Sequence, residues 1–152
     1  MATYYIILSI HIIGATIWAG GHLVLALSIL PDALKKKDAS IILDYEKRFE
    51  KIGLPALGTQ ILSGFWLAWR ILGPLENWFA NNSIAHAIQI KLGLLVLTAG
   101  LAINARFRVI PKLTDTDMNT LAWHVRIVTF SAVLFVLAGI TIRFGGYPVF
   151  KN

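Results

Sequence analysis

The chain contains no cysteine. That absence excludes a disulfide and a thiolate metal ligand, and it removes any clue to redox compartment. Charge is scarce too: Asp, Glu, Lys and Arg make up 14% of the 152 residues, against 57% hydrophobic ones. So little charge places the chain among membrane proteins rather than soluble domains. No basic region precedes the first apolar run, and that run is too long for a cleavable signal peptide, so it reads as a retained helix. Internal repeats, low-complexity tracts and a second composition are all missing, which leaves a single domain over 1–152.

Four apolar stretches are present, at about 4–30, 52–73, 84–105 and 121–144. Each is long enough to cross a bilayer, for which about 20 apolar residues are needed at ~1.5 Å rise each. Pro31 follows the first and Gly73-Pro74 the second, residues that end helices. The loop 31–51 carries Lys35, Lys36, Lys37, Lys47, Arg48 and Lys51, and the segment 106–126 carries Arg106, Arg108, Lys112 and Arg126. Arg70, Arg143 and Lys151 fall on the other side, with Lys91 inside the third stretch. This bias predicts an all-α integral membrane protein, a four-transmembrane-helix bundle of the bacterial inner membrane, with basic loops in the cytoplasm and both termini periplasmic. The net charge of +6 is then a topology signal rather than a nucleic-acid footprint. Trp66, Trp69, Trp78, Phe79 and Tyr147 are expected near the outer interface as an aromatic belt. A short amphipathic cytoplasmic helix is expected at about 39–50, capped by Asp38 or Ser40.

The first stretch, Tyr4 to Leu30, has no charged residue but holds His11 and His22. Eleven residues are three helical turns plus about 20°, so both imidazoles share one face, roughly 16 Å apart along the axis. Trp18 lies on the same stripe. Ionisable groups inside a span are costly and usually mark function. The predicted topology sorts the four histidines into an outer pair, His11 and His86, and an inner pair, His22 and His124. Two imidazoles at one depth suit the axial positions of a haem iron, so one or two b haems are expected in the bundle core. Arg143 at the outer face and Arg126 at the inner one suit haem propionates, or else they snorkel to the interface. His86 and His124, at helix ends, are otherwise wetted interfacial histidines. Lys91 lies near the depth of His11 and either snorkels or rivals His86 as ligand or propionate partner. Thr59, Gln60, Ser63, Asn104, Thr129 and Ser131 are read as interhelical hydrogen-bonding residues.

His11 with Trp18-Ala-Gly-Gly, Tyr45-Glu-Lys-Arg-Phe-Glu-Lys-Ile-Gly-Leu-Pro55-Ala, Ser63-Gly-Phe-Trp66-Leu and Ile90-Lys91-Leu-Gly-Leu together resemble the CopD-like (copper-resistance protein D) membrane family. The same positions are similar to the HemJ type, a haem-binding protoporphyrinogen oxidase. That second resemblance implies an essential histidine at His11 and an essential lysine at Lys91. Two departures count against the oxidase chemistry. The arginine after the tryptophan motif is absent, with Ala26 in that neighbourhood, and Arg126-Ile-Val-Thr-Phe-Ser-Ala replaces the last-helix pattern. The CopD-like resemblance implies copper, which is the alternative cofactor. Cu(I) prefers sulfur ligands, and the two methionines, Met1 and Met118, lie outside the apolar stretches. The sequence therefore favours a b-type cytochrome working in electron transfer or redox chemistry, with copper transport or resistance and HemJ-like oxidation as alternatives. Expected partners are the lipid bilayer, a quinone or periplasmic redox partner, and a second copy of the chain.

Overall fold

The computed structural model describes residues 1–114 and 118–146; Tyr147 and Lys151 lie outside them. Helix α1, Ala2–Val24, runs through a π-helical turn, Leu25–Ile29, into α2, Leu30–Lys36. Pro31 therefore does not end the first helix. It sits in the first turn of α2, where a missing N–H costs least, and the rod continues to Lys37 in the left-handed region at φ 54°.

The expected surface helix and the second apolar stretch are likewise joined. Helix α3 is one 33-residue element, Ser40–Leu72, that passes through Pro55. No turn-forming cluster separates Glu50 from Ile52, so nothing stops the helix there. Asp38 accepts hydrogen bonds from the Ser40 backbone N–H and hydroxyl, at 2.9 and 2.6 Å, just ahead of the first turn. Gly73, at φ 74°, ends α3 as the Gly-Pro pair predicts. Helix α4, Ser83–Asn104, is capped by Asn82, whose side chain accepts from Ala85 N–H at 2.9 Å. It continues through a π turn, Ala105–Val109, and a 3-10 turn, Ile110–Lys112. Helix α5 is Asn119–Arg143.

Among the described residues there is no strand element. Three of the rods, Ala2–Lys36, Ser83–Lys112 and Asn119–Arg143, are long and apolar enough to cross a membrane. The α3 rod has the length, but its polar first turns and Thr59, Gln60 and Ser63 dilute its hydropathy. Helix α1 packs against both α3 and α5, and α5 packs against α4. The α1–α3 approach is close because Gly14 has no Cβ: one there would stand 3.1 Å from the Ala56 carbonyl oxygen.

Three apolar layers fill the bundle. At the end that carries the lysine- and arginine-rich loops, called the basic end below, Leu25, Leu30, Ile42, Leu121 and Val125 form a closed cluster. Trp18, Ala19 and Ala132 pack in the middle with Leu57, Val128 and Phe135 around them. At the opposite end Ala68, Trp78 and Ile88 pack together. Trp78 thus turns inward, at 3% exposure, and donates its indole N–H to the Gly73 carbonyl at 3.1 Å. Trp69 and Phe79 stay on the outside as expected of belt residues.

Candidate functional site: two imidazole levels on one helix

The His11 level is polar, and its Nδ1 is answered. Ser63 on α3 donates its hydroxyl proton to the Thr59 carbonyl at 2.5 Å, so its oxygen receives the Nδ1–H of His11 at 2.8 Å. That arrangement leaves the His11 lone pair on Nε2, one of the two ring nitrogens through which a neutral histidine ligates a metal. Gln60 donates to the His11 backbone carbonyl at 3.3 Å. Gly64 lets the ring approach, since a Cβ there would stand 3.2 Å from its Cε1. Lys91 enters the same region from α4. Its Nζ rests against Gly139 of α5, 3.6 Å from where a Cβ would stand, and it acts electrostatically on His11.

Between the levels stands Trp18, at 7% exposure, edge-on to Phe135 with centroids 6.0 Å apart. The stripe read from the sequence is real, but its middle is filled by an indole.

The His22 level is aromatic. The imidazole lies edge-on to Trp18 at 4.7 Å and to Phe49 at 5.7 Å. Its Nδ1 is buried and has no hydrogen-bond partner. An unanswered buried polar atom costs about 1–3 kcal/mol, so such an atom asks for a ligand. The backbone here is held from two sides. Tyr45 of α3 donates to the Gly21 carbonyl at 2.8 Å, and the Thr129 hydroxyl of α5 lies 3.0 Å from the His22 carbonyl. Both carbonyls lie at the entry to the π turn, where the widened backbone changes their pairing.

The other predicted residues lie farther out. His86, half-buried near the start of α4, donates Nδ1–H to the Asn82 carbonyl at 2.7 Å. His124, half-buried near the start of α5, donates Nδ1–H to the Thr120 carbonyl at 2.8 Å. Its Nε2 lies 3.2 Å from Asn104 Oδ1, a contact that needs a second ring proton or the amide turned over. Arg126 is exposed and stacks over Trp123 at 5.4 Å, and Arg143 is exposed at the end of α5. Among the described residues no three His, Cys, Asp or Glu side chains group together to hold a metal ion. Met118 is buried in the apolar cluster of the basic end.

Ser63, Gln60, Asn104 and Thr129 join helices as their polarity within apolar stretches predicts. Sequence reasoning missed Phe49, Tyr45 and Gly53 as site residues. The signal for them is small residues facing an aromatic pair on the next helix, but only the fold sets them opposite one another. Beside them Glu46 is half-buried. Burial pushes its carboxyl above the usual range, Glu50 adds to that, and Arg106 opposes it. Arg106 also pairs with Glu50 at 3.3 Å.

The family model for copper resistance protein D (CopD) matches residues 44–143. The chain belongs to the copper resistance protein D family. The matched CopD segment covers most of α3, all of α4 and all of α5, with His86, Lys91 and His124 inside it. His11 and His22 precede it on α1. No curated protein and no solved structure matches the chain.

Proposed function

We propose that this member of the copper resistance protein D family is a four-span protein of the bacterial cytoplasmic membrane that takes copper into its bundle. His22 is the donor that receives it from the basic, cytoplasmic end, and both termini lie on the periplasmic side. The observation that carries this reading is the buried His22 Nδ1 without a partner. Copper is cargo here, and an imidazole nitrogen binds it without help from sulfur. Once it is bound, the neighbouring rings of Trp18 and Phe49 limit water around it. The α3 hydroxyl of Tyr45 and the α5 hydroxyl of Thr129 fix the backbone from which the imidazole hangs. The α3 helix counts as the fourth span on its apolar half, from 52 to 73.

The test is cellular copper content under copper challenge, with protein level measured in parallel. The intact protein changes copper content relative to cells without it, and His22→Ala removes that change. Equal copper content with and without the protein would sink the reading.

A second reading is supported by the His11 level. An ammonium beside the imidazole disfavours a bare metal cation there and suits an anionic group such as a haem propionate. The Nδ1–H tautomer of His11 leaves Nε2 to hold a haem iron, Lys91 would be the propionate partner, and His86, likewise protonated on Nδ1, would be the second imidazole of the expected outer pair. Haem b bound there would supply one-electron redox chemistry. The reduced-minus-oxidised absorption spectrum of the purified protein decides it: a low-spin b-type spectrum lost in His11→Ala is expected, and a colourless protein would end this reading.

A further inference from the structure

We infer that Phe49 is the residue that decides access to the His22 nitrogen from the basic end, closing it in the structure described and admitting the cargo when its ring moves. The inference rests on the copper reading for what is admitted, but not for the closure itself.

The ring of Phe49 is held by shape. A Cβ on Gly21 of α1 would overlap Phe49 Cε2 and Cζ, and a Cβ on Gly53 of α3 would stand 2.7 Å from Cε1. The two glycines therefore leave a slot between α1 and α3, and the ring fills it. The ring lies edge-on to His22, with centroids 5.7 Å apart. It also lies parallel to Tyr45 at 5.8 Å and 17°. Tyr45 is pinned through its hydroxyl to the Gly21 carbonyl, so it cannot follow if Phe49 swings out. Trp18, in the middle layer of the bundle, is the other aromatic neighbour of the imidazole. The imidazole thus has two aromatic neighbours: Trp18, which the middle layer packs around, and Phe49, which sits in the slot between the glycines. Beyond Phe49, one turn toward the basic end, stands the half-buried carboxyl of Glu46, with Glu50 and Arg106 around it. Along α3 from that end the carboxyl comes first and the ring second, and the ring lies against the imidazole.

The absence of cysteine makes the test clean, because one introduced thiol is the only thiol. The experiment uses His22→Cys in inverted membrane vesicles and measures the rate of labelling by a membrane-impermeant thiol reagent. Ser40→Cys, made separately, is the exposed reference at the same end. The thiol at position 22 labels far more slowly than the thiol at position 40. Adding Phe49→Ala to His22→Cys raises its labelling rate about tenfold or more, as expected if the open state is a minor population of ~10% or less. Gly53→Ala, which keeps the ring but pushes it from its slot, raises the rate as well and serves if Phe49→Ala does not fold. An unchanged rate in the folded variants overturns the inference, and so does a His22→Cys protein that already labels as fast as Ser40→Cys. If His22→Ala leaves cellular copper untouched while Phe49→Ala still exposes the thiol at position 22, the copper reading fails and the gate stands.

Discussion

His11 and His22 share a helix and a face, yet their surroundings are opposite. Around His11 each answered polar atom has a named partner: Ser63 takes Nδ1–H, Gln60 reaches the backbone, and Lys91 stands near. Around His22 the backbone carbonyl is answered by Thr129 but the ring is walled by Trp18 and Phe49, and Nδ1 has nothing. Burial of a histidine in a span is therefore not one condition. A hydrogen-bonded imidazole is oriented and stabilised by its neighbours, whereas a bare one in an aromatic box is held only by shape and keeps a lone pair or a proton to offer.

The largest expected effects lie at the two imidazoles themselves. His22→Ala lowers copper affinity of the purified protein by about two orders of magnitude, since even the loss of a supporting contact costs 10- to 100-fold. Ser63→Ala leaves that affinity within a few-fold while it destabilises the bundle by about 1–3 kcal/mol, because it strands the His11 Nδ1–H. Titration calorimetry and thermal unfolding in detergent separate the two effects. If Ser63→Ala weakens copper binding as much as His22→Ala does, the two levels are one site and the contrast between them is lost.

Smaller changes probe the walls around His22. Tyr45→Phe keeps the stack on Phe49 but removes one hydrogen bond to the Gly21 carbonyl, for a loss of about 1 kcal/mol in the same unfolding measurement. Glu46→Gln has the smallest effect, and it depends on pH. Burial raises the folded-state pKa of Glu46, so ionising it opposes folding. Its favourable contribution is present while it is protonated and is lost as pH rises through that raised value. Glutamine cannot ionise, so the variant gains stability over the parent at pH 8 and none at pH 4. A gain at pH 4 instead would show that the glutamine acts through packing rather than charge.

Much of this was legible in the residues. Three of the four apolar stretches recur as helices long and apolar enough to cross a membrane, and the shared face of His11 and His22 and the joining roles of Ser63, Gln60, Asn104 and Thr129 follow from helical periodicity and from the cost of polar groups among apolar ones. Helix ends were less legible. Pro31 and the 50–52 boundary resemble breaks, but a proline early in a helical turn and a chain without turn residues both let a helix run on. Trp78 shows a further limit. Composition places it in an interface belt, and only the fold supplies the Gly73 carbonyl that draws it inward. The Phe49 slot was not legible, because it needs Gly21 and Gly53, 32 positions apart on different helices, to face one ring.

If the bare nitrogen of His22 takes the metal, bound copper must carry the magnetic signature of that imidazole. Electron paramagnetic resonance of the detergent-purified protein loaded with one equivalent of Cu(II) reads the nitrogen couplings of bound imidazole. Imidazole couplings that vanish in His22→Ala and persist in Ser63→Ala are the predicted result. Couplings unchanged by His22→Ala would contradict it.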